Sequence, residues 1–436
     1  MGFHTIAASG VRYGLMAFDA NGVERSEGAG PFSQTLIAEA RNAVTDIFFF
    51  SHGWQGDLTA AIRQYDLWIG ALANSPDLET ARRKTPAFLP LFIGLHWPSL
   101  PWGNEDAGAD GSFAAAARPD PQQMLNACID RFGDGPEIRA ALQTIFDQAR
   151  YNITPDTLPP AVQQAYLDLN AALGLGSGGV SAPPDADREG FDPEDSYEAG
   201  NEAVVDFADF SLGGVLGPLR PLSYWTMKKR ARSIGEGGMH DFLVALQNAT
   251  PQTTRIHLMG HSFGAIVISG MLAGPNAQGA LARPVDSVAL VQGAVSLWCY
   301  AAKIPFAGAG PGYFSRILPD GKIAGPLVTT RSRFDKAVGQ FYPLASRLGG
   351  SASFAPGLPQ FGAIGAYGIR GLDKAQYCDA PMLPANGAYG FEPKKVYNLE
   401  ASDYICHGAG ASGAHSDIAG PEVAHAIWEA ALVSVR

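Results

Sequence analysis

Cysteine is scarce in this chain and poorly placed for bridging: Cys128, Cys299, Cys378 and Cys406 are the only four among 436 residues, with no C-x-x-C spacing. That scatter excludes a disulfide-framework protein and suits reduced thiols in a cytoplasmic one. Positive charge is also in short supply. Lys and Arg total 31 against 42 Asp and Glu, for a net charge of −11, which argues against nucleic acid or an anionic membrane as the main partner. The opening Met1-Gly2-Phe3-His4-Thr5 lacks the basic and apolar regions of a secretory signal. No uninterrupted apolar run approaches the roughly 18 residues of a membrane span. H-E-x-x-H and clustered His/Asp spacings are missing, so no metal is expected. There is no internal repeat. The expectation from these absences is a soluble cytoplasmic protein.

What is present is a chain 46% hydrophobic with 52 glycines and 31 prolines, enough for one large core or two modest ones in a loop-rich enzyme. Apolar runs that read as strands cover about 14–18, 44–50, 88–95, 256–259, 288–292, 325–330 and 395–399. The Asn21-Gly22 pair after the first run signals a hairpin turn. Helical or irregular sequence separates the runs, as a mostly parallel α/β sheet requires. Two stretches break the rhythm. Residues 100–221 hold helix-like pieces at 121–131, 136–151 and 159–173, then an acidic run over about 174–202 that reads as flexible. This block is expected to form a cap or lid on a core made of residues 1–99 and 222–436. Residues 349–393, rich in Gly, Ala and Pro, read as an irregular excursion beside the site. Gly174-Leu175-Gly176-Ser177-Gly178-Gly179 lacks the Lys-Ser/Thr that a phosphate loop needs and reads as linker.

The most telling feature is Gly260-His261-Ser262-Phe263-Gly264, set between an apolar strand and an apolar helix. A G-x-S-x-G in that setting is a nucleophile elbow, in which a sharp turn lifts the serine hydroxyl above the sheet edge. Side chains at Gly260 and Gly264 would collide with neighbouring backbone in so tight a turn. A serine there needs a general base, and the base an acid to fix its tautomer. Downstream of Ser262, Asp335 follows a late strand and is the leading acid. It could also cap the segment after it, and Asp286, Asp373 and Asp403 are its rivals. His415, on the loop between the last strand and the last helix, is the leading base, with His407 as competitor and His425 inside the helix as a structural residue. For the oxyanion, the N–H of Phe263 and that of Trp54 or Gly53, on the loop after an early buried strand, are the expected donors. His52 beside them reads as a satisfied histidine under that loop. The aromatics Trp97, Trp102, Trp225 and Trp298 are candidates for an apolar acyl pocket or for plain core.

Taken together, His52-Gly53-Trp54, the elbow pentapeptide, Asp335 and His415, in this order, resemble the α/β-hydrolase superfamily at both ends of the chain. The phrases His96-Trp97-Pro98-Ser99, Gly325-Pro326-Leu327-Val328-Thr329-Thr330, Asp335-Lys336-Ala337-Val338-Gly339 and Ala414-His415-Ser416-Asp417-Ile418 look like a branch of largely uncharacterised microbial members. The resemblance implies the α/β-hydrolase fold, a Ser262–His415–Asp335 triad and no cofactor. Serine at the elbow sets the chain apart from the epoxide-hydrolase and dehalogenase branches, which carry aspartate there. The expected activity is hydrolysis of a carboxylic ester with an apolar acyl group, as in esterases and lipases. The alternatives are acyl transfer or amide hydrolysis on the same residues, and further off a binding protein that kept only the scaffold.

Overall fold

The computed structural model describes residues 1–26, 30–54, 58–85, 87–99, 121–151, 155–202, 214–341, 354–355, 357–408 and 412–434. Its strands in chain order are β1 (Gly2–Thr5), β2 (Arg12–Ala17), β3 (Asp46–Ser51), β4 (Pro90–His96), β5 (Arg255–His261), β6 (Ser287–Val291), β7 (Leu327–Arg331), β8 (Phe354–Ala355), β9 (Leu358–Pro359), β10 (Tyr377–Pro381) and β11 (Val396–Glu400). Nine of them form one sheet in the order β1-β2-β4-β3-β5-β6-β7-β11-β10, and β8 with β9 makes a separate two-stranded ribbon. Only β1 pairs antiparallel within the large sheet. The other ladders are parallel. The protein is therefore an α/β structure with a mostly parallel sheet flanked by helices.

The apolar runs become buried central strands because both faces are covered. Alternation along β3 shows how. Ile47 and Phe49 point to one face, among the helices Phe32–Ala40, Leu219–Ile234, His240–Ala249 and Gly264–Ala273. Phe48 and Phe50 point to the other, against Leu58–Ala73, Pro76–Lys84 and Pro421–Leu432. The expected turn after β2 is present: Asp19 N–H donates to Val23 O, and Gly22 lies at φ 77°. Two strands of the large sheet escaped the sequence reading, as did the short pair β8 and β9. β1 and β10 are half-exposed edge strands without a continuous apolar run, and β10 lies inside the block read as an irregular excursion. Among the described residues no helix is long and apolar enough to cross a membrane.

The block 100–221 is described from residue 121, and its helices Pro121–Phe132, Pro136–Ala149 and Pro160–Ala172 bury Leu125, Ile145 and Tyr166 in the same apolar cluster as the sheet. Within the stretch that the sequence reads as a flexible acidic run, two carboxylates meet cations on the helix Leu219–Ile234. Asp187 pairs with Lys228 at 2.6 Å, their side chains 3% and 0% exposed. Asp185 takes both Arg232 Nε and Nη2, at 2.5 and 3.1 Å. Arg188 donates to Gly176 O and lies 5.1 Å over the Trp225 ring. Burial pushes the Lys228 pKa down, and Asp187 pulls it back up. A buried charge left without its partner is expensive, whereas an apolar pair of similar volume is often tolerated. Lys228→Met is therefore expected to cost about 3–5 kcal/mol in urea unfolding, and adding Asp187→Leu to recover most of it.

Candidate functional site

Four strands of the parallel sheet deliver the candidate residues to its C-terminal edge, the end at which open α/β sheets place their sites. β3 runs into His52-Gly53-Trp54, β5 into Ser262, β7 into Asp335, and β11 into the loop that carries His415. Ser262 sits at φ 55° between β5 and the helix Gly264–Ala273, a left-handed conformation uncommon outside glycine. The sterics around it are unforgiving. A Cβ on Gly264 would lie 2.2 Å from Ser51 O, and one on Gly260 2.5 Å from Gly264 O. A Cβ on Gly53 would lie 2.4 Å from that of Ser262. Only glycine lets the β3 loop pass this close to the serine.

The structure brings Ser262, His415 and Asp335 into one chain of hydrogen bonds. Ser262 Oγ and His415 Nε2 are 2.8 Å apart, and His415 Nδ1 donates to Asp335 Oδ2 at 2.7 Å. With Nδ1 as donor, Nε2 of the neutral ring is left to accept the hydroxyl proton. Ser262 is 5% exposed, and the side chains of His415 and Asp335 are 12% and 0% exposed. The two loops are stitched backbone to backbone. Ala414 N–H donates to Phe334 O at 2.9 Å and Lys336 N–H to Ser412 O at 3.3 Å. Gly413 allows this at φ 57°, where a Cβ would strike Phe334 O. Asp335 also caps the turn after it, its Oδ1 accepting from Val338 N–H at 3.1 Å. One carboxylate thus serves both purposes.

The rivals lie elsewhere. The His407 side chain is 85% exposed and turns to Asp417. His425 is clamped between Asp77 and Gly387 O. Asp286 accepts from Ile256 N–H at the start of β5, the opposite end of the strand from Ser262. Asp373 and Asp403 are exposed. His52 is buried under its loop, where Nδ1 donates to Gly53 O, Nε2 accepts from Trp97 N–H, and the ring stacks on the Trp97 indole. Of the other aromatics, Trp225 and Trp298 are buried in apolar clusters, and Trp102 lies outside the described residues. Phe263 heads the helix Gly264–Ala273, and a helix start leaves its first N–H groups without intrahelical acceptors. Beside it, Trp54 and Tyr224 pack their rings 5.9 and 5.0 Å from that of Phe263.

Two residues that the sequence reading gave no role belong to this assembly. His261, the residue before the serine, donates from Nε2 to His415 O at 2.9 Å and accepts at Nδ1 from the Gln64 amide at 2.9 Å. It packs against the His415 ring, with centroids 4.8 Å apart. Gln292, just past β6, donates from Nε2 to Asp335 Oδ2 at 2.8 Å. Only their place beside an elbow or at a strand end could have flagged them. As for metals, Cys406, His407 and Asp417 put one donor atom each within 4.8 Å of one another at the surface. Asp417 Oδ2 already accepts from the N–H groups of Cys406 and His407. All four cysteines are free thiols. Compared with protein-family models, curated proteins and solved structures, the chain matches none.

Burial, and after it the neighbouring His415, hold the His261 pKa down to about 3, from an ordinary 6.5. The unfolded chain therefore takes up a proton as the pH falls below 6.5, while folded His261 stays neutral down to about 3. Stability is lost through that window as the solution is acidified. His261→Gln, which offers an amide donor to the same carbonyl, should lose less stability between those two pH values. Urea midpoints measured across the range test this.

Proposed function

We propose that this chain is a serine hydrolase of the α/β-hydrolase type that cleaves a carboxylic ester through an acyl-serine intermediate. The observation that carries the proposal is the chain of hydrogen bonds from Asp335 through His415 to Ser262, with Ser262 in the left-handed conformation. Strain of that kind persists only where the surroundings over-determine it, and such positions cluster at functional sites. The parallel sheet and the chain order Ser262, Asp335, His415 agree with the reading.

In this mechanism Ser262 Oγ attacks the ester carbonyl carbon while His415 Nε2 takes its proton. Asp335 holds the imidazole in the required tautomer and stabilises the imidazolium. The carbonyl oxygen becomes an oxyanion and receives hydrogen bonds from the backbone N–H of Phe263 and that of Trp54 or Gly53. Collapse breaks the bond to the alkoxy oxygen, which leaves as the alcohol with the proton from His415. A water then gives a proton to His415 and attacks the acyl carbon, and expulsion of Ser262 Oγ with that proton restores the site. No cofactor takes part. The rings of Trp54, Tyr224 and Phe263 beside the proposed donors support an apolar acyl group. Intact residues at every step speak against a protein that kept the scaffold alone, and the four free thiols fit a cytoplasmic setting.

Hydrolysis of p-nitrophenyl butyrate tests the assignment. Ser262→Ala, His415→Ala and Asp335→Asn should each lower kcat by about three orders of magnitude or more without unfolding the protein. His407→Ala should leave it unchanged. Full activity in Ser262→Ala would contradict the proposal, and loss in His407→Ala with retention in His415→Ala would move the base.

A further inference from the structure

We infer that Gln292 is the positioning residue of the site: its amide fixes and orients the Asp335 carboxylate that in turn orients His415. The inference rests on the hydrolase reading above and extends it to a residue that reading does not use.

The observation is a conjunction of strain, burial and bonding at one side chain. Gln292 is fully buried and has φ 47°, the same left-handed region as Ser262. Glycine would adopt that backbone at little cost, and glutamine has no special tolerance for it. Strained positions of this kind cluster at functional sites, and what sets this one apart from the chain's other left-handed residues, such as Ala43 and Ala277, is the bonding of its side chain. Here each polar group of that side chain is engaged within a small unit. Nε2 donates to Asp335 Oδ2 at 2.8 Å, the same oxygen that receives His415 Nδ1. Oε1 accepts from Thr330 Oγ1 at 2.8 Å, and because a carboxylate only accepts, it is the nitrogen end that faces the acid. Thr330 Oγ1 accepts in return from Gln292 N–H at 3.0 Å. The backbone is confined as well, since a Cβ on Gly365 would come within 2.8 Å of the Gln292 carbonyl carbon.

A carboxylate that accepts from Gln292, Val338 N–H and His415 is held in one orientation. Without the amide, Oδ2 would keep only His415 as a partner while Oδ1 stayed on Val338 N–H, so the carboxylate would be held less firmly against the imidazole. Among the described residues, Asp335 and His415 are the ionisable side chains of this unit, with His261 behind His415. On the elements packed against it, Arg331 at the end of β7 is paired with Glu400, and Lys336 follows Asp335.

The test uses the full chain and p-nitrophenyl butyrate, with Ser262→Ala as reference and thermal melts of each variant. Gln292→Leu keeps the volume and removes the amide. It should lower kcat about 10- to 100-fold, the worth of one hydrogen bond to a charged group, with KM unchanged because Gln292 does not touch substrate. Gln292→Glu gives the sharper readout, and it decides the matter if the leucine variant fails to fold. While protonated, the new carboxyl donates to Asp335 as the amide does. When it ionises, two carboxylates face each other. Its kcat should approach wild type at acidic pH and fall on an alkaline limb that the wild type lacks. Wild-type kcat and an unchanged pH profile in both variants, with Ser262→Ala inactive, would overturn the inference while leaving the hydrolase reading intact. Hydrolysis that survives Ser262→Ala would instead overturn that reading, and this inference with it.

Discussion

The structure turns on a steric constraint, the close passage of the β3 loop across the β5 turn. Gly264 faces the carbonyls of Ser51 and His52, Gly53 faces the Ser262 side chain, and Gly260 faces the backbone of its own turn. With no Cβ at these points, the chain can reverse from strand to helix within a few residues, and Ser262 is driven to φ 55°. The same turn puts Phe263 at the head of a helix buried along its whole length. Every other feature of the site is arranged around a serine whose position sterics have already decided.

The remaining parts are set by polar bonds with little freedom. Stitching of the Asp335 and His415 loops through Phe334, Ser412 and Ala414 fixes the carboxylate and the imidazole relative to each other. His261 bonds the peptide of His415 from below, and Gln292 bonds Asp335 from behind. In a buried setting such preorganised dipoles need not reorient as charge develops, which is where catalytic sites gain most of their effect. The helical block packs on one face through an apolar cluster shared with the sheet, and buried ion pairs join it to the helix Leu219–Ile234.

Much of this was legible in the sequence for identifiable reasons. Central strands such as β3 and β5 announce themselves as unbroken apolar runs, because both faces are covered. The elbow glycines and the order of Ser262, Asp335 and His415 carry steric and chemical logic that survives without coordinates. The edge strands β1 and β10 were not legible, since half-exposed strands lose the apolar signal. The pairings in the acidic segment were not legible, because composition reports charge but not pairing; Asp185 and Asp187 find Arg232 and Lys228 some forty residues on. Gln292 was hidden for a related reason. Its role depends on a left-handed backbone angle and on contacts with Thr330 and Asp335, which become neighbours only in the folded sheet.

The central claim is that Ser262 is an activated nucleophile in the folded protein. Its most direct test is to treat the intact chain with a fluorophosphonate and locate the adduct by peptide mass mapping. The account predicts one adduct, on Ser262, formed in native protein and abolished by prior unfolding. An unmodified Ser262 in folded protein, or an adduct on another residue, would contradict it.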